Sequence, residues 1–195
     1  MKIHISKVVS SCCQLLHRIR QVRRLVGQDL AQQLVSAFIL SRLDYCNSLL
    51  SRLPWSTVQP LQRVMNAAAR VIMILSLRDH VKPALKQLHL LPVEQRITCK
   101  LCLFMHLIHN GQAPQYLSDC VSTVSAVSHR YRLRSSGSAA VYVLPRTRTR
   151  SRERGFFYSG PAAWNTLPSD LHDITDTSIH SENDSTVYCF DRAYH

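Results

Sequence analysis

Apolar residues recur at steps of three and four through most of the first 121 positions of the chain. In a helix, such spacing places the apolar side chains along one face. The first helix is predicted over residues 5–25, where Gly27 ends it and Asp29 is placed to cap the next. Its apolar positions are Ile5, Val8, Val9, Cys12, Leu15, Leu16, Ile19 and Val22. The pattern predicts a mainly α fold.

Five further helical segments are predicted before residue 122. The second predicted helix runs from about residue 28 to residue 50, and Pro54 breaks the pattern. Its apolar face is assigned to Leu30, Leu34, Ala37, Phe38, Ser41 and Tyr45. The third begins at Ser56 and faces inwards through Val58, Leu61, Val64, Met65, Ala68, Ala69 and Ile72. A short helix is predicted over 79–88 and a long one over 92–110, which Asn110-Gly111 ends; 114–121 is predicted to form one or two helical turns.

The amino-acid composition changes after residue 121. Ser, Thr, Arg and Gly become frequent, and only residues 141–144 have the composition of a strand. The sequence therefore divides into a helical region (1–121), a basic and partly extended region with little strand (122–172) and a mobile acidic tail (173–195).

Arginine occupies every second position from Arg146 to Arg154. Five guanidinium groups cannot be buried without paired anions, so this segment is expected at the surface. If the segment is extended, its alternating side chains form a one-sided cationic ribbon that suits a polyanion. We take Arg146, Arg148, Arg150, Arg152 and Arg154 as contacts to the nucleic-acid backbone. Phe156, Phe157 and Trp164 are candidate side chains for base stacking, but for Trp164 a role as a local hydrophobic anchor is favoured over stacking.

Charge is the second indication of a polyanionic partner. The formal net charge is +12, and the first 28 residues contain no acidic side chain. A second basic cluster is formed by Arg18, Arg20, Arg23 and Arg24; phosphate contact and an ordinary solvated helix face both remain open for it. A basic chain of this kind suits nucleic acid or an anionic membrane surface.

No catalytic or metal site emerges from the sequence. Cys99, Cys102, His106 and His109 have zinc-ligand chemistry, but they lie along about 15 Å of one predicted helix and cannot share one ion. A nucleophile elbow and a glycine-rich phosphate loop are both missing from the sequence. The carboxylates Asp170, Asp173 and Asp176 lie in a polar segment that reads as a solvated loop.

Seven cysteines, an odd number, do not suggest a disulfide framework. The start of the chain lacks the pattern of a secretory signal, although its basic, acid-free composition also suits a mitochondrial transit peptide. Reduced thiols and a nuclear or cytoplasmic location are expected. No uncharged apolar stretch approaches the roughly 18 residues of a membrane span, so no membrane partner is expected on that ground.

Seven strings in order give the chain a family resemblance. They are Phe38-Ile39-Leu40-Ser41-Arg42-Leu43-Asp44-Tyr45-Cys46-Asn47-Ser48-Leu49-Leu50, Leu61-Gln62-Arg63-Val64-Met65-Asn66-Ala67-Ala68-Ala69-Arg70, His89-Leu90-Leu91-Pro92-Val93-Glu94-Gln95-Arg96-Ile97, Gly111-Gln112-Ala113-Pro114-Gln115-Tyr116-Leu117, Arg132-Leu133-Arg134-Ser135-Ser136, Pro145-Arg146-Thr147-Arg148-Thr149 and Trp164-Asn165-Thr166-Leu167-Pro168. Together, over about residues 1–172, they resemble the carboxy-terminal part of reverse transcriptases of non-LTR retrotransposons, of the jockey and chicken-repeat type.

The resemblance implies a thumb-like helical bundle and a carboxy-terminal extension that follow the polymerase palm. The family copies RNA into DNA with two magnesium ions held by palm aspartates in a Tyr/Phe-x-Asp-Asp motif. This chain contains no Asp-Asp pair, so no catalytic residue is carried over and no cofactor is expected for the fragment. The acidic end from Ser178 departs from the basic helix that the family pattern leads us to expect.

The expected function is therefore binding of RNA or an RNA–DNA duplex through its backbone, without polymerase activity, metal or small-molecule substrate. An alternative is a helical protein–protein interaction module, whose partner would include the palm and fingers that this chain does not contain. The third interpretation is that the chain is a non-functional fragment of a decayed element.

Overall fold

The computed structural model describes residues 1–124 and 142–167. These residues are mainly helical, as the sequence predicts, and their bridged extended structure is limited to an isolated antiparallel bridge between Thr123 and Tyr142. They fall into two compact units that divide between Ile97 and Thr98, within one helix, whereas the composition changes only after residue 121. The Arg132–Ser136 string and the predicted mobile tail lie outside the described residues.

The first unit, residues 1–97, is built mainly from two long helices and shorter elements beside them. In order they are α1 (Lys2–Val22), α2 (Gln28–Val35), a π-helical turn (Ser36–Leu40), α3 (Ser41–Asp44), a 3₁₀ turn (Asn47–Leu50), α4 (Trp55–Met73) and α5 (Val81–Gln87), and the helix α6 (Val93–His109) begins in this unit. α1 and α2 both pack on α4. The inward face predicted for α4 is confirmed, because all seven of its predicted positions are buried.

The buried face of residues 28–50 is not the predicted one. Leu30, Phe38 and Tyr45 are exposed, and the buried side chains are Ala31, Val35, Ile39, Leu40 and Leu43. A step of four advances about 40° around an α-helix, so such a stripe normally drifts away from the core. The π turn has more residues per turn and offsets this drift, which keeps the segment that carries Ile39 and Leu43 packed on α1.

A polar network joins three of the strings that carry the family resemblance. Arg96 donates from Nε to Asp44 Oδ1 at 2.8 Å and from its terminal amino group to Asp44 Oδ2, which makes a forked ion pair between α6 and α3. Gln62 of α4 accepts from the Val93 backbone N–H at 2.9 Å at the start of α6. Asn47 is buried beside Asp44, to which its amide donates at 3.3 Å. The strings therefore contact each other as parts of one unit.

Replacing Arg96 with Gln is expected to lower the free energy of unfolding of the first unit by about 1–2 kcal/mol. The forked pair is only partly buried, so solvent reduces its contribution below that of a fully buried pair. Arg96→Lys is expected to recover only part of the loss, because an ammonium group cannot form the fork. Urea unfolding followed by circular dichroism measures this, with Lys82→Gln on the exposed face of α5 as the matched control. Equal stability of the two Gln variants would contradict the role assigned to Arg96.

The second unit starts at Thr98 and contains the rest of α6, α7 (Gln115–Ser118), α8 (Arg150–Glu153) and α9 (Phe156–Trp164). Gly111 ends α6 in the left-handed conformation, at a φ of 66°, as the Asn-Gly signal predicts. Gly160 lies within α9 where a Cβ would come within 2.9 Å of Met105 Sδ, so a larger residue there would require Met105 to shift. The core of this unit consists of Met105, Tyr142 and Trp164, with Ile108, Val121, Phe156 and Leu167 around it.

Candidate nucleic-acid interface

The basic segment is irregular at its start and helical at its end. From Val143 to Arg148 the side chains alternate between half-buried and exposed, and Arg146 and Arg148 are on the exposed side, as predicted for an extended strand. Thr149 is still extended, at φ −136° and ψ 141°, but Arg150–Glu153 form the helical turn α8. The one-sided ribbon therefore ends at Arg148, because successive alternate residues on a helix turn by about 200°.

Four of the five arginines are exposed to solvent. Arg146, Arg148, Arg150 and Arg152 are exposed, and Arg154 is half-buried next to α9. Among the described residues, no carboxylate lies within ion-pair distance of any of the five guanidinium groups. Glu153, in the same turn, instead accepts a hydrogen bond from the Thr147 hydroxyl at 3.3 Å. Within the described ranges, the segment is thus a run of positive charge that is not ion-paired with a carboxylate.

In the second basic cluster, Arg23 has a structural role. Its guanidinium donates to the carbonyls of Val71 (3.2 Å) and Ile72 (2.7 and 3.1 Å) and to that of Val26 (2.8 Å). Val71 and Ile72 lie in the last turn of α4, whose carbonyls have no partner within the helix and favour a nearby cation. The structure thus gives Arg23 a role in holding the end of α1 to the end of α4, and fewer of its donors are left for a phosphate.

The other three arginines of this cluster stay available to solvent. Arg18 and Arg20 lie on the exposed side of α1, and Arg24 follows the end of the helix. Cations near the C-terminus of a helix are stabilised by the helix dipole, so an ordinary solvated helix face accounts for these arginines without a phosphate contact.

Trp164 does not stack on bases, because it is 1% exposed in the core of the second unit. Its ring lies 5.6 Å from that of His109, 6.3 Å from that of His106 and 6.4 Å from that of Tyr142, between centroids. It anchors α9 on α6. Phe156 is also engaged, edge-on to Phe104 at 6.1 Å. Phe157 is half-buried and folds back against Gly155, so none of the three aromatic side chains is presented as a free stacking surface.

Asn165, which follows Trp164, forms hydrogen bonds with the backbone of Tyr142. Asn165 donates from Nδ2 to the Tyr142 carbonyl at 2.8 Å and accepts from the Tyr142 backbone N–H at 3.3 Å. One side-chain amide thus satisfies both backbone groups of Tyr142, as a neighbouring strand would. This pairing is not predicted from the sequence, where the Asn directly after Trp164 is its only signal.

His106 makes the stability of the second unit depend on pH. Burial, and secondly the charge of His109, lower the pKa of His106 below its ordinary value. Asn110 Nδ2 lies 3.0 Å from His106 Nε2. Nε2 can accept a hydrogen bond from this amide only when the ring is neutral. Since the unfolded chain binds the proton more readily, the stabilisation is complete above about pH 6.5 and is lost as the pH falls through the lowered pKa.

We expect the free energy of unfolding to decrease between about pH 6.5 and pH 5. His106→Gln is expected to flatten this decrease, because the amide does not titrate. The exposed His80→Gln is the control and should keep the wild-type slope. Denaturant midpoints at several pH values measure both, and an unchanged slope in His106→Gln would contradict the assignment.

The four residues with zinc-ligand chemistry have structural roles: Cys99, Cys102, His106 and His109. Cys102 is buried as a small apolar side chain, and the His109 ring lies 3.3 Å from the Tyr142 hydroxyl. Cys99 is disulfide-bonded, so the expectation of seven reduced thiols is wrong there; Cys12, Cys13, Cys46, Cys102 and Cys120 are free thiols. Within residues 1–124 and 142–167 no group of three or more His, Cys, Asp or Glu residues is placed to hold a metal ion. No helix in those ranges has the length and hydropathy to cross a bilayer.

Comparisons with protein-family models, with curated proteins and with solved structures found no match for this chain.

Proposed function

We propose that the chain corresponds to the thumb and post-polymerase part of a non-LTR retrotransposon reverse transcriptase, and that it binds RNA or an RNA–DNA duplex through the phosphate backbone. The observation that carries the binding proposal is the group of four exposed, unneutralised arginines from Arg146 to Arg152. Phosphate contacts of this type position a nucleic acid without reading its sequence.

The family part of the proposal rests on the strings and on their mutual contacts. Asp44 belongs to the first string, Gln62 to the second, and Val93 and Arg96 to the third, and these residues are hydrogen-bonded to each other. The three strings therefore lie in one folded unit, as parts of one thumb-like bundle would. The helical content agrees with a thumb, although many unrelated folds are helical.

The proposal assigns no catalysis to this chain. The family's palm aspartates have no counterpart, since the sequence contains no Asp-Asp pair. A primer-extension assay with dNTPs and Mg²⁺ is expected to give no product above the protein-free control. Extension by the purified chain would overturn this part of the proposal.

The binding experiment uses a labelled single-stranded RNA and a labelled RNA–DNA duplex, titrated with the full chain over a salt series. Each phosphate contact contributes about 0.7 to 0.9 to the log–log slope, so four arginines predict a slope of about −3. The absence of binding at about 50 mM salt would reject the proposed function.

A helical interaction module remains the second candidate, because Phe38, Tyr45 and Leu49 are exposed on the 28–50 segment. Palm and fingers are the expected partner if the family assignment holds. In this case the purified chain should self-associate on gel filtration as its concentration rises. A clean monomer over the whole range counts against the module and leaves nucleic-acid binding or the non-functional reading.

A further inference from the structure

Three strongly exposed aliphatic side chains of the first unit lie on two neighbouring segments. Leu25, after α1, is 86% exposed, and Ile74 and Leu77, after α4, are 67% and 84% exposed. The hydrogen bonds of Arg23 to the end of α4 hold the two segments side by side, and Gln28 also contacts Met73, with 3.5 Å between Nε2 and Sδ. We call Leu25, Ile74 and Leu77 the aliphatic patch.

Ile74 holds its exposed position at a conformational cost. Its φ of 52° and ψ of 42° are left-handed, a region that is unfavourable for a β-branched residue. The Leu75 N–H donates to the Arg70 carbonyl at 3.0 Å, so Ile74 takes the place in a Schellman cap that glycine usually fills. Neither burial nor backbone geometry accounts for an isoleucine here, which points to a role in a contact outside the chain.

The surroundings of the aliphatic patch are mainly cationic. Arg20, Arg24 and Arg78 are exposed next to it in sequence. Asp29 and Asp79 are the nearest acids in sequence, and Asp79 Oδ2 already accepts the Ser76 backbone N–H at 2.6 Å, which shapes the turn that carries Leu77. The patch therefore combines side chains that prefer hydrocarbon with groups that prefer an anionic layer.

This combination discriminates between possible occupants. Nucleic acid is disfavoured, because bases stack on aromatic and guanidinium planes and gain little from Leu and Ile. A second copy of the chain would bring the same arginines face to face, which costs free energy. An anionic phospholipid surface satisfies both components, since the aliphatic tips enter the acyl boundary and the arginines contact the headgroups.

We propose that the aliphatic patch docks the first unit on anionic phospholipid membranes by shallow insertion of Leu25, Ile74 and Leu77. The docking is peripheral and separate from the arginines at 146–152, so it does not depend on the proposed nucleic-acid binding.

Co-sedimentation of the full chain with vesicles tests this, using phosphatidylcholine alone and with about 30 mol% phosphatidylserine. Binding is expected only to the anionic vesicles. The triple variant Leu25→Ser/Ile74→Ser/Leu77→Ser should lose at least about 30-fold in partition coefficient, since each aliphatic side chain removed from lipid costs up to about tenfold. The matched control Ile3→Ser/Phe38→Ser/Leu49→Ser removes exposed apolar side chains elsewhere in the same unit and should bind like the wild type.

Ile74→Gly separates docking from folding. Glycine removes the left-handed strain, so the variant is expected to melt at a higher temperature and yet bind vesicles several-fold more weakly. Wild-type binding by Ile74→Gly and by the triple variant would overturn the proposal, as would absence of vesicle binding by the wild type. Concentration-dependent self-association that only the triple variant abolishes would also overturn it, because the occupant would then be a second copy.

Discussion

Trp164→Ala is expected to lower the free energy of unfolding of the second unit by about 3–5 kcal/mol, because truncating a fully buried Trp removes its contacts and leaves a cavity. The ring joins α9 to His106 and His109 on α6 and to Tyr142. Among the described residues, Trp164 is the largest member of the core cluster with Met105 and Tyr142, so loss of much of the tertiary structure of this unit is expected. Urea unfolding followed by far-UV circular dichroism measures the change.

The chain provides its own control, because it contains two tryptophans and the other, Trp55, is 45% exposed at the start of α4. Trp55→Ala should cost about 1 kcal/mol or less. In a Trp55→Phe background the fluorescence comes from Trp164 alone, and its emission should be blue-shifted until the second unit unfolds. Red-shifted native emission, or similar midpoints for the two Ala variants, would contradict the buried anchor.

The helices that are well predicted have one unambiguous apolar stripe and strong end signals. α4 is the clearest case, since Pro54 precedes its first residue and every predicted inward position is buried. The 28–50 segment is different because its sequence carries two apolar stripes one residue apart. Periodicity alone cannot choose between the stripe of Leu30 and the stripe of Ala31. Packing on α4 and the π turn make that choice, and both depend on the tertiary structure.

The candidate interface shows the same division between local and long-range information. Exposure of Arg146 and Arg148 follows from charge and alternation, which are local. The role of Arg23 depends on carbonyls 48 and 49 residues away in the sequence, so a run of arginines gives no sign of it. Burial of Trp164 likewise depends on the approach of α9 to α6, which Gly160 permits. The sequence thus identifies basic and aromatic residues. It does not show which of them are already engaged in contacts within the fold.

Changing Arg146, Arg148, Arg150 and Arg152 to Gln together is expected to weaken binding to single-stranded RNA about 100-fold at low salt. The four side chains are exposed and unneutralised in the described part of the chain, so each can release a counterion when it meets a phosphate. The log–log salt slope should become less steep by about 3, which is near one unit for each arginine. Stability should be almost unchanged, because none of the four is buried.

The matched control changes four other exposed cations to Gln, namely Lys2, Arg63, Lys82 and Lys86. This control also removes four positive charges, but it removes them from the first unit. General electrostatic attraction to nucleic acid therefore falls equally in both variants. If the basic segment is a local phosphate-binding surface, the control keeps most of the salt slope and loses only a few-fold in affinity. Equal losses in the two variants would mean that the net charge of +12 attracts nucleic acid without a defined interface. That result would remove the basic segment as a site, because the position of its arginines would then contribute nothing beyond their charge.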